Sequence, residues 1–214
     1  MQLVQWWAQP WWVNLLMLVP VAAYWRWRRI GLRLRPSQLL FAAAFAIAFG
    51  FVEAAVVVYL RASIGLLPGF QGTLADIARH APALESAQAA TLPPSLLTIE
   101  TCREAATIVM LVAVALLSAP RIRERWAMFL WCFAAWDLSY YAGLWATIHW
   151  PSSLLNLDVL FLIPEPWISQ VWFPVAVSSL TMIAVAVSAV AKPAPVTQTA
   201  PGATLDFSTE PPSR

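Results

Sequence analysis

The sequence predicts an all-α integral membrane protein: a bundle of five transmembrane helices, with a short re-entrant or interfacial segment before the fifth. Three observations predict it. The 214 residues are 60% apolar and only 11% charged, with a mean hydropathy of +0.67, whereas a soluble domain carries about 25% charged residues. The apolar residues fall into long runs separated by short arginine-bearing segments. Tryptophan and tyrosine gather at the ends of several runs, as rings do at the two faces of a bilayer. This balance excludes soluble classes such as nucleic-acid-binding or disulfide-scaffold modules. Cys102 and Cys132 both lie in apolar runs, where a thiol behaves as a small hydrophobe, and they make no disulfide framework.

One domain, residues 1–191, is expected to hold five spans, and a Pro-, Thr- and Ser-rich tail, 192–214, is expected to be disordered. The first span covers about 6–27. Trp6, Trp7, Trp11 and Trp12 crowd one end of it and Tyr24, Trp25 and Trp27 the other, while Pro10 and Pro20 predict a kink or an irregular start. Met1 to Trp12 carries no positive charge, and the arginines follow the apolar run. The segment is therefore read as a retained anchor rather than a secretory signal. The second span, 39–60, is interrupted only by Glu53 and closed by Arg61. Its Ala46, Gly50 and Ala54 form a small-residue stripe that lets another helix approach closely, and Glu53 beside it is expected to point into the bundle.

Residues 62–96 are read as a loop. Thr73 to Asp76 resembles a capping box, which predicts a short surface helix near 74–80 with Asp76, Arg79, His80 and Glu85 on its solvated side. The third span, 97–119, opens on Glu100-Thr-Cys-Arg103-Glu104. The uncharged run behind it, 105–119, rises only about 22 Å as a helix, short of a hydrocarbon core of about 30 Å. The span must therefore draw charged residues into the membrane or its edge, where they mark a functional site by default. The fourth span, 126–150, contains Asp137, Tyr140, Tyr141 and His149. The apolar stretch 153–163 is too short to cross and suits a re-entrant or interfacial segment. Asp158 within it reads either as a surface acid on an interfacial helix or as part of a lid. The fifth span is 167–191.

The positive-inside rule orients the bundle. With the N-terminus outside and the C-terminus cytoplasmic, ten of the thirteen basic residues fall on the inner side. The abundance of arginine and alanine points to a bacterial cytoplasmic membrane. In this topology Glu53 and Glu104 each lie about 10 Å below the outer face, Tyr141 about 13 Å, and Asp137 a turn deeper. Glu100 and Glu104 share a helix face, as do Asp137 and Tyr141.

Two readings follow for these residues. In the first, Arg103 ties helices together by holding two carboxylates while Tyr141 donates to a third, a structural network of paired buried charges. In the second, Glu53, Glu100, Glu104 and Asp137 outnumber Arg103, and the excess acids hold a proton, a cation or a ligand. The expected function is an outer-leaflet acidic cavity that binds or relays a proton, a cation or a small lipophilic ligand. Its residues are Glu53, Glu100, Arg103, Glu104, Asp137 and Tyr141, with Asp158 as the lid. Two alternatives are a non-catalytic accessory or assembly subunit and a membrane enzyme using paired carboxylates on a lipid or isoprenoid. No metal is assigned, because no Glu-x-x-His pair or Cys/His cluster is present. No cofactor is assigned either. The expected partners are the bilayer, and a membrane subunit or a second copy, with no nucleic acid.

Overall fold

A computed structural model describes residues 7–65 and 94–190, and the chain there is mostly helical. A 3-10 helix, Trp11–Met17, runs on into α1, Leu18–Arg28. Then come α2, Pro36–Gly65, α3, Pro94–Ser118, and α4, Ile122–Ile148. Two short strands, β1 (Leu157–Phe161) and β2 (Trp167–Gln170), precede α5, Trp172–Val190. The surface helix expected near 74–80 and the tail lie outside the described residues.

Among the described residues, three helical segments are long and apolar enough to cross a membrane: Pro36–Leu60, Leu96–Ser118 and Trp172–Val190. Large apolar side chains cover their outer faces, including Phe41, Tyr59, Val109, Leu117 and Val190. A water-facing surface rarely carries so much apolar area, whereas lipid requires it. α4 is 27 residues long, and it carries Asp137, Ser139, Tyr140 and Tyr141 in its middle. It is the central helix, packed on α2, α3 and α5.

One expectation is met and two are corrected. First, the segment over 6–27 has the irregular start that its prolines predict. Pro20 has no N–H to donate to Leu16, and the stretch ahead of it tightens into a 3-10 helix. The α-helical part is 11 residues, about 16 Å. Second, residues 153–163 contain a strand, so Asp158 lies on β1 and not on an interfacial helix, and the described fold is not purely α. β1 and β2 pair antiparallel, Asp158 opposite Ser169 and Phe161 opposite Trp167, with an irregular register between Val159 and Phe161. Third, α5 begins at Trp172 and not at 167, because 167–170 is spent on β2.

The N-terminal segment closes one end of the bundle. Gln9 exchanges both backbone hydrogen bonds with Ile168, at 2.8 and 2.7 Å, and Trp12 Nε1 donates to Glu165 at 3.3 Å. At the opposite end Gly31, at φ 72°, ends the α1 turn, a conformation glycine adopts without strain. Leu32 N then donates to Ser188 O at 2.9 Å. The arginines flanking α1, α2 and α4 therefore share the end away from the hairpin.

Glu124 fastens that arginine end. It is 1% exposed and accepts from Arg123 Nε at 3.2 Å and from the Arg33 N–H at 3.4 Å. Burial alone would raise its pKa, but the hydrogen bonds from Arg123 and Arg33 outweigh that and hold it below the usual carboxylate value. A depressed carboxyl stabilises the fold above its unfolded pKa, and the contribution disappears as pH falls through the lower folded value. Glu124→Ala should cost about 2 kcal/mol at neutral pH. The gap to wild type should close on acidification below the carboxylate range, as read by thermal unfolding in detergent.

The small-residue stripe faces inward. Ala46 and Ala54 are fully buried, Ser139 Oγ lies 3.5 Å from Ala46 O, and a Cβ at Gly143 would come within 2.9 Å of Ala54. The stripe packs α2 on α4 of the same chain.

Candidate functional site

One cavity of about 110 Å³ collects the charged residues. Helical periodicity explains how. On α3, Glu100, Arg103, Glu104 and Thr107 recur at i, i+3, i+4 and i+7, one face of a helix, and all four line it. On α4, Phe133, Trp136, Asp137, Tyr140 and Tyr141 follow the same spacing. α2 adds Glu53, turned inward one residue before Ala54, and β1 closes the space with Asp158 to Phe161. Glu53, Glu100, Arg103, Glu104, Asp137, Tyr141 and Asp158 thus meet around one space. Glu53, Glu104, Asp137 and Asp158 are each less than a tenth exposed.

The contacts divide into two sets. Arg103 forms ion pairs with Glu53 of α2 and with Glu100 one turn back on its own helix, and its Nε donates to Glu100 at 3.0 Å. Thr107 Oγ1 donates to Glu53 at 3.4 Å. The other acids are held by neutral donors. Asp137 accepts from Ser178 Oγ of α5 at 2.7 Å, and Glu104 accepts from the Leu162 N–H at 2.8 Å. Tyr141 donates to Asp158 at 2.8 Å. The Glu104 and Asp158 bonds tie the hairpin to α3 and α4, so the strand is fastened over the cavity by two of the acids that line it.

Ser178, Thr107 and the Leu162 N–H were not singled out from sequence. A serine in an apolar helix carries no sign of its partner, and a backbone donor carries none at all. The aromatic wall was also missed. Phe133 lies 5.3 Å from Trp136 and 6.3 Å from Phe161, and Phe161 lies 5.4 Å from Trp167. These four rings come from three separate runs of the chain, and only the hairpin brings Phe161 and Trp167 onto α4.

His149 stands apart. It ends α4 in the left-handed region, at φ 54°, and its exposed ring lies against Trp145 at 5.8 Å. Neither cysteine lines the cavity; Cys132 is buried against α2 and Cys102 is exposed. Among the described residues, no three His, Cys, Asp or Glu side chains are grouped so as to hold a metal ion.

The lining presents five carboxylates and one guanidinium among the described residues. Arg103 forms ion pairs with two of the five. Carboxylates buried in low dielectric are costly unless they are paired, protonated or neutralised by a cation. Comparison with protein-family models, with curated proteins and with solved structures gives no match.

Proposed function

We propose that this chain is a five-span protein of a bacterial cytoplasmic membrane, its N-terminus and hairpin on the outer side, whose cavity takes up a proton or a cation from that side. α1 with the 3-10 turn ahead of it and α4 would be the two spans beyond the three apolar ones. The arginine-rich end would face the cytoplasm, in keeping with the positive-inside rule. The observation that carries the reading is the excess of carboxylates over Arg103 around one cavity. Glu104 and Asp137, held by neutral donors, are the acceptors. Arg103 fixes Glu53 and Glu100, and Tyr141 with Asp158 holds the hairpin in place. A purely structural network predicts instead that the acids never change protonation and that nothing binds.

Infrared difference spectroscopy on the reconstituted protein separates the two. Titration should reveal the carbonyl stretch of buried protonated carboxyl groups. That band should weaken in Glu104→Gln and in Asp137→Asn while the helical amide signal is kept. Carboxylates that stay ionised across the titration, with no cation bound, would leave only the structural network.

A further inference from the structure

We infer that the cavity takes a small alkylammonium ion bearing a hydrogen-bond acceptor, an amino-alcohol type of ligand. The inference rests on the cation reading of the site and names its ligand class. Three features converge on it. The first is charge: Glu104 and Asp137 are held by neutral donors, and the ion pairs of Arg103 go to Glu53 and Glu100. The second is the wall of Phe133, Trp136, Phe161 and Trp167, all of which line the cavity. Ring faces attract desolvated ammonium groups, with tryptophan the strongest, and methylated ammonium presents apolar surface to the remaining Val and Leu lining. The third is a pair of donors. Trp136 is 5% exposed, and its indole N–H and that of Trp167 are buried with no partner among the described residues. A buried N–H left unpaired costs free energy, and an acceptor on the ligand would supply the partner.

A bare metal ion fits less well. It needs several ligands converging on one point, and no such group of three occurs among the described residues. A neutral lipophile would leave the excess acids uncompensated. A cation that spreads its charge over methyl groups needs one or two carboxylates, an aromatic wall and little else.

The test uses the full chain in phosphatidylglycerol nanodiscs and three probes of one shape. Choline has both the charge and the acceptor. 3,3-Dimethylbutanol replaces the nitrogen with carbon, and propyltrimethylammonium replaces the hydroxyl with methyl. Choline should bind, the uncharged isostere should bind at least about 30-fold more weakly, and propyltrimethylammonium about tenfold more weakly. The tenfold gap should shrink in the Trp136→Phe, Trp167→Phe double variant, which keeps an aromatic ring at both positions and removes both N–H groups. Glu104→Gln and Asp137→Asn should each weaken choline by about tenfold or more. The phenylalanine variant still tests the inference if the acid variants fold poorly.

Equal affinity for choline and 3,3-dimethylbutanol overturns the inference, as does an unchanged gap in the double variant. Protonation changes in the infrared titration without choline binding overturn the ligand class and leave the proton reading standing. Neither protonation change nor binding overturns both. The same ammonium chemistry is offered by a soluble amine and by a lipid headgroup. Weaker apparent choline binding in phosphatidylcholine nanodiscs supports the headgroup, and equal binding supports the soluble amine.

Discussion

Gly50→Ala should lower the stability of the fold by about 3 kcal/mol, at the upper end of what overpacking a core costs. A Cβ at this position would lie 2.1 Å from Ser139 Oγ and 2.4 Å from the Trp136 carbonyl oxygen. The serine hydroxyl can rotate away, but the carbonyl belongs to the backbone of α4 and cannot. The two helices must separate or shift along one another. Ser139→Ala removes only the movable part of the clash, so adding it to Gly50→Ala should recover little. The consequence reaches the cavity, because Glu53 is three residues along the same helix and Trp136 and Asp137 lie on the opposing one. Thermal unfolding in detergent measures the first effect. A melting temperature equal to wild type would show that α2 and α4 are not packed as described.

Arg103→Gln should cost about as much, about 3 kcal/mol, for an electrostatic reason. Removing one partner of a buried ion pair leaves the other charge without compensation, which is worse than having neither. Here two carboxylates lose their partner at once, Glu53 with a 7% exposed side chain and Glu100 with a 15% exposed one. The Glu53→Gln, Arg103→Gln double variant should therefore be more stable than Arg103→Gln alone. The coupling appears as non-additivity in a double-mutant cycle on unfolding free energy. Additive losses would mean that Arg103 and Glu53 do not interact across the helices. Ligand binding supplies a second readout. If Arg103 fixes the acids and does not itself hold the ligand, the double variant should keep much of its choline affinity.

The two effects show different degrees of legibility. Gly50 stood out in the sequence as part of a four-residue repeat of small side chains, because close helix approach depends on local side-chain size. Which helix it meets was not written there. The repeat fits a partner subunit as readily as α4, and tertiary packing settled it. Arg103 and its acids were also visible, because a charge in an apolar run is anomalous whatever surrounds it. Their grouping on one face of α3 follows from the helical period alone. Phe133, Trp136, Asp137, Tyr140 and Tyr141 share a face of α4 for the same reason.

The sequence by itself determined the apolar helices, the faces they offer each other, the arginine segments between them and the identity of the buried charges. Each of these is a local property, set by hydropathy, period and the cost of burying charge. Only the tertiary structure decided the hairpin, the hold of Leu162 on Glu104, the Ser178–Asp137 bond and the aromatic wall. Strand pairing across a five-residue turn, a backbone donor and a ring contact between α4 and β1 depend on which distant segments meet. An apolar run such as 153–163 has nothing in its composition that separates a strand over a cavity from a helix lying in the interface. The Glu100-to-Glu104 stretch was therefore readable as a set of charges needing neutralisation, and the fold supplied the partners for them.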